Sequence, residues 1–514
     1  MCPGLAAFRS TGLKPFNPFE DRRAENYAKL RKPLDPQAFI DQLRGEMDAE
    51  LSALNDALAG KGLAWLKIAE RRNAGAIHLT PLDAAPEPRN LRRLKAAIRD
   101  RWGVVPLMDM LTETALRTGC LNVFTPAGTQ NHLDAAVLFE RLLLLIYAYG
   151  TGTGIRAVAA GDHPHTEDDL RHARRRYLTV EACREVARVI ANATFAVRQA
   201  ALWGEGTTAV ASDSTHLSAF DQNIFTEWHS RYRRAKRGVL IYWTVETGGS
   251  MAVHSQLISC SASEVHAMVE GAMRHGTDME IEQNFVDSHG ASFVGFGITR
   301  LLDFDLVARF KQINKMKLYV PGRGEDFSYP LLGPALTRPI RWDIITQNYD
   351  IMMKYATAIR LRTASTEALL RRFTSETPRL RRDAGGRPRP AHRLPGPLAS
   401  RPRSSSGDRI RAERGGELQR RRRLHQVRQA RRARLQPARR TGTGMLCLHI
   451  LQSALGLINT LMIQDTLALP EWENVLTDAD RRGLTPLFHT NMTPYGEIQL
   501  RTDRRLDLTD LPTA

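Results

Sequence analysis

An α/β core on a mixed five-stranded sheet, flanked by mainly α-helical regions, is the fold class this 514-residue sequence predicts. Three observations predict it. Between Thr207 and Phe310, five apolar, β-branched runs alternate with two stretches of helical spacing. The first and fourth of those runs each end on a carboxylate, Asp213 and Asp287. Outside this stretch, apolar residues recur at every third or fourth position, as in Phe39, Ile40, Leu43, Met47, Leu51, Leu54 and Leu58, which is the period of a helix.

Taken in order, residues 207–214 form a strand that delivers Asp213. Residues 238–245 and 252–258 are two further strands, and the Gly248-Gly249 turn signal between them makes a hairpin. Residues 261–275 set Val265, Met268, Val269 and Met273 at helical spacing behind Ser261 or Ser263 as the N-cap. Residues 284–290 are a short strand ending on Asp287, and a helix over 291–302 and a strand over 305–310 close the unit. Three strands, a helix, a strand, a helix and a strand is the order of a ribonuclease-H-like nuclease fold. In that order the first and fourth strands are neighbours, so Asp213 and Asp287 meet although 74 positions separate them. An Asp after a strand is ordinarily a turn residue or a helix cap. Two carboxylates brought together suit a hard divalent cation that keeps part of its water shell for a phosphate, as in a two-metal phosphoryl-transfer site.

Several longer motifs carry a resemblance. They are Ala-Ser-Asp-Ser at 211–214, Thr-Glu-Trp-His at 226–229, Ile-Tyr-Trp at 241–243 and Phe-Val-Asp-Ser-His-Gly at 285–290. With them go Leu-Thr-Arg-Pro-Ile at 336–340, Lys-Tyr-Ala-Thr-Ala at 354–358 and Leu-Leu-Arg-Arg-Phe-Thr at 369–374. Together they resemble the signature of the Tn3-family transposases, from about Asn26 to the C-terminus with one large break. The resemblance implies a DDE catalytic domain that cuts at transposon ends and joins the freed 3′-hydroxyls to target DNA, with Mg²⁺ (or Mn²⁺) as cofactor. It also implies DNA as partner, a homo-oligomer on that DNA, and a place in the bacterial cytoplasm at the nucleoid. The first two acids of the family's triad match Asp213 and Asp287. Family members are roughly twice as long, so the chain reads as a C-terminal fragment.

Residues 1–204 read as a helical region preceding the catalytic core, with helices over 37–59, 87–102, 107–116, 133–149, 166–175 and 179–202. Thr166-Glu167-Asp168-Asp169 is a helix start. The run Gly-Thr-Gly-Thr-Gly-Ile-Arg at 150–156 lacks the Gly-Lys-Ser/Thr ending and the preceding strand of a phosphate loop, and reads as a turn between helices. Residues 205–378 form the ribonuclease-H-like catalytic domain. Its later part, 310–374, interleaves basic residues with Tyr319, Tyr329, Trp342, Tyr349 and Tyr355, groups able to contact phosphates and stack on unpaired bases. Glu227, Trp228 and His229, close to the first acid, read as structural or supporting residues.

Five cysteines without Cys-x-x-Cys spacing point away from a zinc site or a disulfide framework and toward a reducing cytosol. No segment reads as membrane-spanning or as a signal peptide, and 445–463 reads as a buried helix because His449, Gln452, Ser453 and Asn459 interrupt it.

The net charge of +18 is uneven. Residues 379–440 hold 21 Arg against four acids, a net +17, so the rest of the chain is nearly balanced. This stretch has no Phe, Trp, Tyr or Lys and reads as disordered. At 378–444 the resemblance also stops, and it resumes in the C-terminal part, 445–514, where Asn-Met-Thr-Pro-Tyr-Gly at 491–496 resembles the family's Asn-Pro-Tyr-Gly motif. Such a composition arises when a GC-rich gene is read out of frame. For one choice of codons, residues 414–420 moved by one base give Val-Val-Glu-Ser-Cys-Asn, similar to the family motif that holds the third acid. Resequencing the gene across codons 374–445 decides between a base gained or lost near each end and an intact frame. As the chain stands, Glu417 lies nearest the third acid's place, in an Arg-rich context unlike the motif. Loss of neighbouring helices there predicts that 445–467 packs against an incomplete partner. The rival readings are a non-catalytic DNA-binding remnant of a transposase, held to phosphates by its Arg-rich segment, and the product of a damaged gene with no stable fold.

Overall fold

Strand pairing follows the apolar, β-branched runs in the computed structural model of the chain, which describes residues 22–60, 63–72, 75–80, 86–125, 133–218, 226–229, 237–288, 290–310, 312–316, 318–322, 328–374, 438–488, 490–496 and 498–508. The chain divides into two compact units, Met1–Pro81 with Ala291–Pro402 and Leu82–Gly290 with Arg403–Ala514.

The second unit holds the sheet. Ahead of it in sequence come helices α1 (Leu107–Thr118), α2 (Ala135–Gly150) and α3 (Val180–Val197). Then follow β1 (Ala209–Ser218), β2 (Gly238–Glu246), β3 (Ala252–Ile258), α4 (Glu264–Met273) and β4 (Gln283–Val286), and last a long helix, α5 (Ala438–Leu467). Within the unit the strand order is β3-β2-β1-β4. The β1–β2 and β2–β3 pairs are antiparallel and β1–β4 is parallel, so the sheet is mixed. Every residue of β2 is buried, as its near-continuous apolar run requires of a central strand. The fifth predicted strand forms at Asp305–Ala308, in the first unit.

β1 departs from expectation in one respect. It does not stop at Asp213 but runs on to Ser218, because Thr215, His216 and Leu217 continue the pairing with Ile241, Leu240 and Val239 of β2.

Around the sheet, α5 is the centre of the helical layer. Its Ile450, Ala454, Leu457, Ile458 and Met462 are fully buried among residues of α1, α2 and α3. Gly150 closes α2 against it: a Cβ there would lie 2.8 Å from the Cys447 carbonyl oxygen. The expectation of an incomplete partner for 445–467 is therefore not met among the described residues. Composition and length alone would let Gly442–Leu467 cross a membrane, yet 83% of its most apolar stretch is buried in this unit, as the sequence predicts. Side chains of α5 also tie down the C-terminal chain. Asn459 donates to the carbonyls of Pro486 and Phe488, both at 2.8 Å, and accepts from Asn491 at 3.1 Å. Beyond α5 the described chain carries a 3-10 turn, Pro470–Trp472, a short helix, Asp478–Gly483, and a two-residue strand, Met492–Thr493, that pairs with Val105–Pro106.

The glycine-rich run at 150–156 is the predicted turn between helices, from α2 to Ile155–Ala159, with Gly152 and Gly154 at positive φ. Thr166 makes the predicted capping box with Asp169 at the start of Glu167–Arg176.

In the first unit, Asp35 caps Pro36–Ala59 by accepting from the amides of Gln37 and Ala38. That helix buries Phe39, Ile40, Leu43, Met47 and Leu51, and Phe39 stacks on Tyr349 of helix Trp342–Arg360 at 4.7 Å. A hairpin, Leu66–Arg72 with Gly75–Leu79, lies between two of the predicted helices, in a region expected to be mainly helical. Its physical basis is a short alternation, in which Leu66 and Ile68 face Leu79 and Ile77 while Lys67 faces His78.

Candidate metal centre

The parallel register of β1 and β4 aligns Ala209 with Gln283 and continues to Ser212 with Val286. One step further stand Asp213 and Asp287, where β4 ends. Two residues 74 apart in sequence thus arrive side by side, as their placement at the ends of neighbouring strands predicts. The amide of Ser214 donates to Asp213 Oδ1 at 2.7 Å and fixes that carboxylate against its own strand.

A third acid joins them. Ser263 caps α4 by accepting from the Val265 amide, and Gly271 allows the helix to lie directly on β2, since a Cβ there would come within 2.1 Å of Thr244 Oγ1. So docked, α4 brings its first residue, Glu264, to the two aspartates. One carboxylate oxygen from each of Asp213, Glu264 and Asp287 lies within 4.8 Å of the other two. Glu264 is 3% exposed, and Ser214 Oγ donates to its Oε1 at 3.1 Å.

Tyr242 stands directly across from Ser214 in the β1–β2 ladder, so the two side chains share a face. The Tyr242 hydroxyl is buried, and among the described residues it makes no hydrogen bond of ordinary geometry, the Ser212 hydroxyl being its polar neighbour. Burial first, and then the negative charges of Glu264, Asp213 and Asp287, hold its phenol well above the ordinary value. The Ser212 hydroxyl acts in the opposite sense but is directed to Thr244 Oγ1, at 3.3 Å. On the approach to α4, Glu227 Oε2 accepts from Ser261 Oγ at 2.7 Å and from the Ser261 amide. Glu227 thereby steadies the entry to the helix, while its neighbour Trp228 is 60% exposed.

Among the described residues, three carboxylates and nearby hydroxyls form an all-oxygen donor set. Such a set fits a hard divalent cation such as Mg²⁺ or Mn²⁺ rather than zinc. Sequence reasoning singles out the two aspartates and does not single out Glu264 or Tyr242, which the fold places beside them. In the sequence Glu264 is only a first-turn acid behind a serine cap, and nothing local says what the turn faces. Glu417 and the Arg-rich stretch through residue 437 lie outside the described residues, as does His289 of the second acid's motif. Of the aromatics in 310–374, Tyr319, Tyr329 and Tyr349 are buried core residues and cannot stack on a base, whereas Lys354 and Arg360 are exposed.

Comparison with known proteins agrees with this architecture. Residues 109–383 and 412–498 match the sequence model of the family described as Tn3 transposase DDE domain. The unmatched stretch between them is shorter than the break of 378–444 expected from the sequence, and Glu417 falls inside the second matched stretch. The transposase for transposon Tn1546 of Enterococcus faecium is 22% identical over 56% of this chain and 28% of its own length. The transposases for Tn21 of Escherichia coli and Tn501 of Pseudomonas aeruginosa are each 23% identical over 71% of the chain and 37% of theirs. The matched part thus spans about a third of the length of these curated relatives. With more than half of its residues matched to the family, the chain belongs to the Tn3 transposases, in the part that carries the DDE domain.

Proposed function

We propose that this chain carries the catalytic chemistry of a Tn3-type replicative transposon, namely DNA cleavage at transposon ends and transfer of the freed 3′-hydroxyls to target DNA. The observation that supports this best is the convergence of Asp213 and Asp287 at the end of β4. In this reading the two aspartates hold Mg²⁺ or Mn²⁺, the DNA ends and target are the partners, and the chain works as a homo-oligomer on DNA. A divalent cation held by these aspartates would supply Lewis-acid chemistry to a phosphate and an attacking oxygen. The chain's own residues orient and exclude. The Ser214 amide fixes Asp213, the β1–β4 register fixes Asp287 beside it, and the buried face of α4 keeps bulk water from the inner side of the site.

The test is a cleavage and strand-transfer assay on DNA carrying the element's terminal sequences, in Mg²⁺ or Mn²⁺. Asp213→Asn and Asp287→Asn are each expected to reduce the rate by roughly a thousandfold or more, the scale of losing a principal source of charge stabilisation. Unchanged cleavage in both variants contradicts the assignment. A second reading, a DNA-binding remnant without catalysis, is favoured by the concentration of +17 net charge in residues 379–440. Removing residues 379–437 separates the two, because that reading requires all salt-sensitive DNA binding to go with the segment.

A further inference from the structure

We infer that Glu264 is a metal-ligating carboxylate, and that the first helix after the hairpin, rather than Glu417, supplies the third acid of the cation centre. This rests on the proposed role of Asp213 and Asp287 as metal ligands and deepens it. A glutamate in the first turn of a helix gains from the positive end of the helix dipole wherever it sits. That gain is available in full at the surface and does not account for a position 3% exposed. Helical side chains lean toward the N-terminus, so the first residue of α4 extends past the helix end toward the aspartates. Gly271 leaves room for the helix against β2, where a Cβ would come within 2.1 Å of Thr244 Oγ1. The outcome is three carboxylate oxygens within 4.8 Å of one another.

Tyr242 is an independent observation. Its hydroxyl is buried without a hydrogen bond of ordinary geometry among the described residues, on the sheet face where Ser214 reaches Glu264. A buried hydroxyl without such a bond is unfavourable, and this one lies within the field of all three acids. A hydrated divalent cation among the carboxylates would bring water to this face of the sheet.

The test is Mn²⁺ binding to the full chain, followed by electron paramagnetic resonance and calorimetry without DNA. Glu264→Gln keeps the shape of the side chain and its ability to accept from Ser214, and near-UV circular dichroism checks its fold. Where that variant does not fold, Glu264→Asp, which keeps the charge and withdraws the oxygens, takes its place. Glu264→Gln, Asp213→Asn and Asp287→Asn are each expected to weaken Mn²⁺ binding by about tenfold or more, and Glu417→Gln to leave it unchanged. Loss of binding in the two aspartate variants with wild-type affinity in Glu264→Gln overturns this inference and leaves the proposed function standing. So does a loss in Glu417→Gln while Glu264→Gln binds normally. A wild-type chain that binds no Mn²⁺, or binding untouched by all four substitutions, overturns both.

Discussion

Buried charge and desolvated imidazole set the residue-scale behaviour. Glu246, 2% exposed, accepts from Arg198 Nη1 at 2.9 Å and from the Gly249 amide. The pair locks the β2–β3 turn, and a side chain on Gly249 would collide with the Arg198 guanidinium at 2.3 Å. His254 on β3 is partly buried, and its pKa is pushed down to about 3, by desolvation first and then by Arg184, His449, His275 and Arg274. Burial lowers His216 and His275 as well. Between about pH 6.5 and 3 the unfolded chain takes up a proton at His254 that the folded chain refuses, so stability falls as pH falls through that window. From pH 6.5 to 5 the loss from His254 alone is about 2 kcal/mol. Urea unfolding at the two pH values measures it, and His254→Gln is expected to flatten the dependence. A wild-type profile that is flat over this range contradicts a desolvated, neutral His254.

At the scale of elements, the placement of α4 decides the geometry of the acids. Gly271→Ala pushes the helix off β2 at Thr244, at a cost of about 1–3 kcal/mol for overpacking a core contact. It is expected to weaken Mn²⁺ binding although it lies two turns from Glu264. Equal affinity in Gly271→Ala and wild type would show that helix docking does not position the acid. The same elements show what the sequence makes legible. Residues 238–245 and 252–258 declare themselves as a hairpin through apolar runs and a Gly-Gly turn, and Ser263 declares the start of α4. Asp213 and Asp287 are legible because strand order brings the ends of the first and fourth strands together. Glu264 is not, because the feature that singles it out is what Gly271 allows α4 to touch, a tertiary fact. The hairpin at 66–79 escapes for another reason: four alternating apolar residues among Lys, Arg and Glu give too short a period-two signal.

For the whole molecule, the sequence matched to the family and the packing of α5 belong together. The second matched stretch, 412–498, contains all of α5, and that helix fills the centre of the layer formed by α1, α2 and α3. The charge excess, by contrast, belongs to residues 379–440 and not to the strands and helix that carry the acids. The proposed chemistry therefore stands on three carboxylates and not on net charge. Anomalous diffraction at the manganese edge, from crystals of the chain grown with Mn²⁺, probes that dependence without intermediaries. The expected result is a peak ligated by oxygens of Asp213, Glu264 and Asp287. Crystals that place the manganese elsewhere, or that hold the three carboxylates too far apart to share an ion, contradict it.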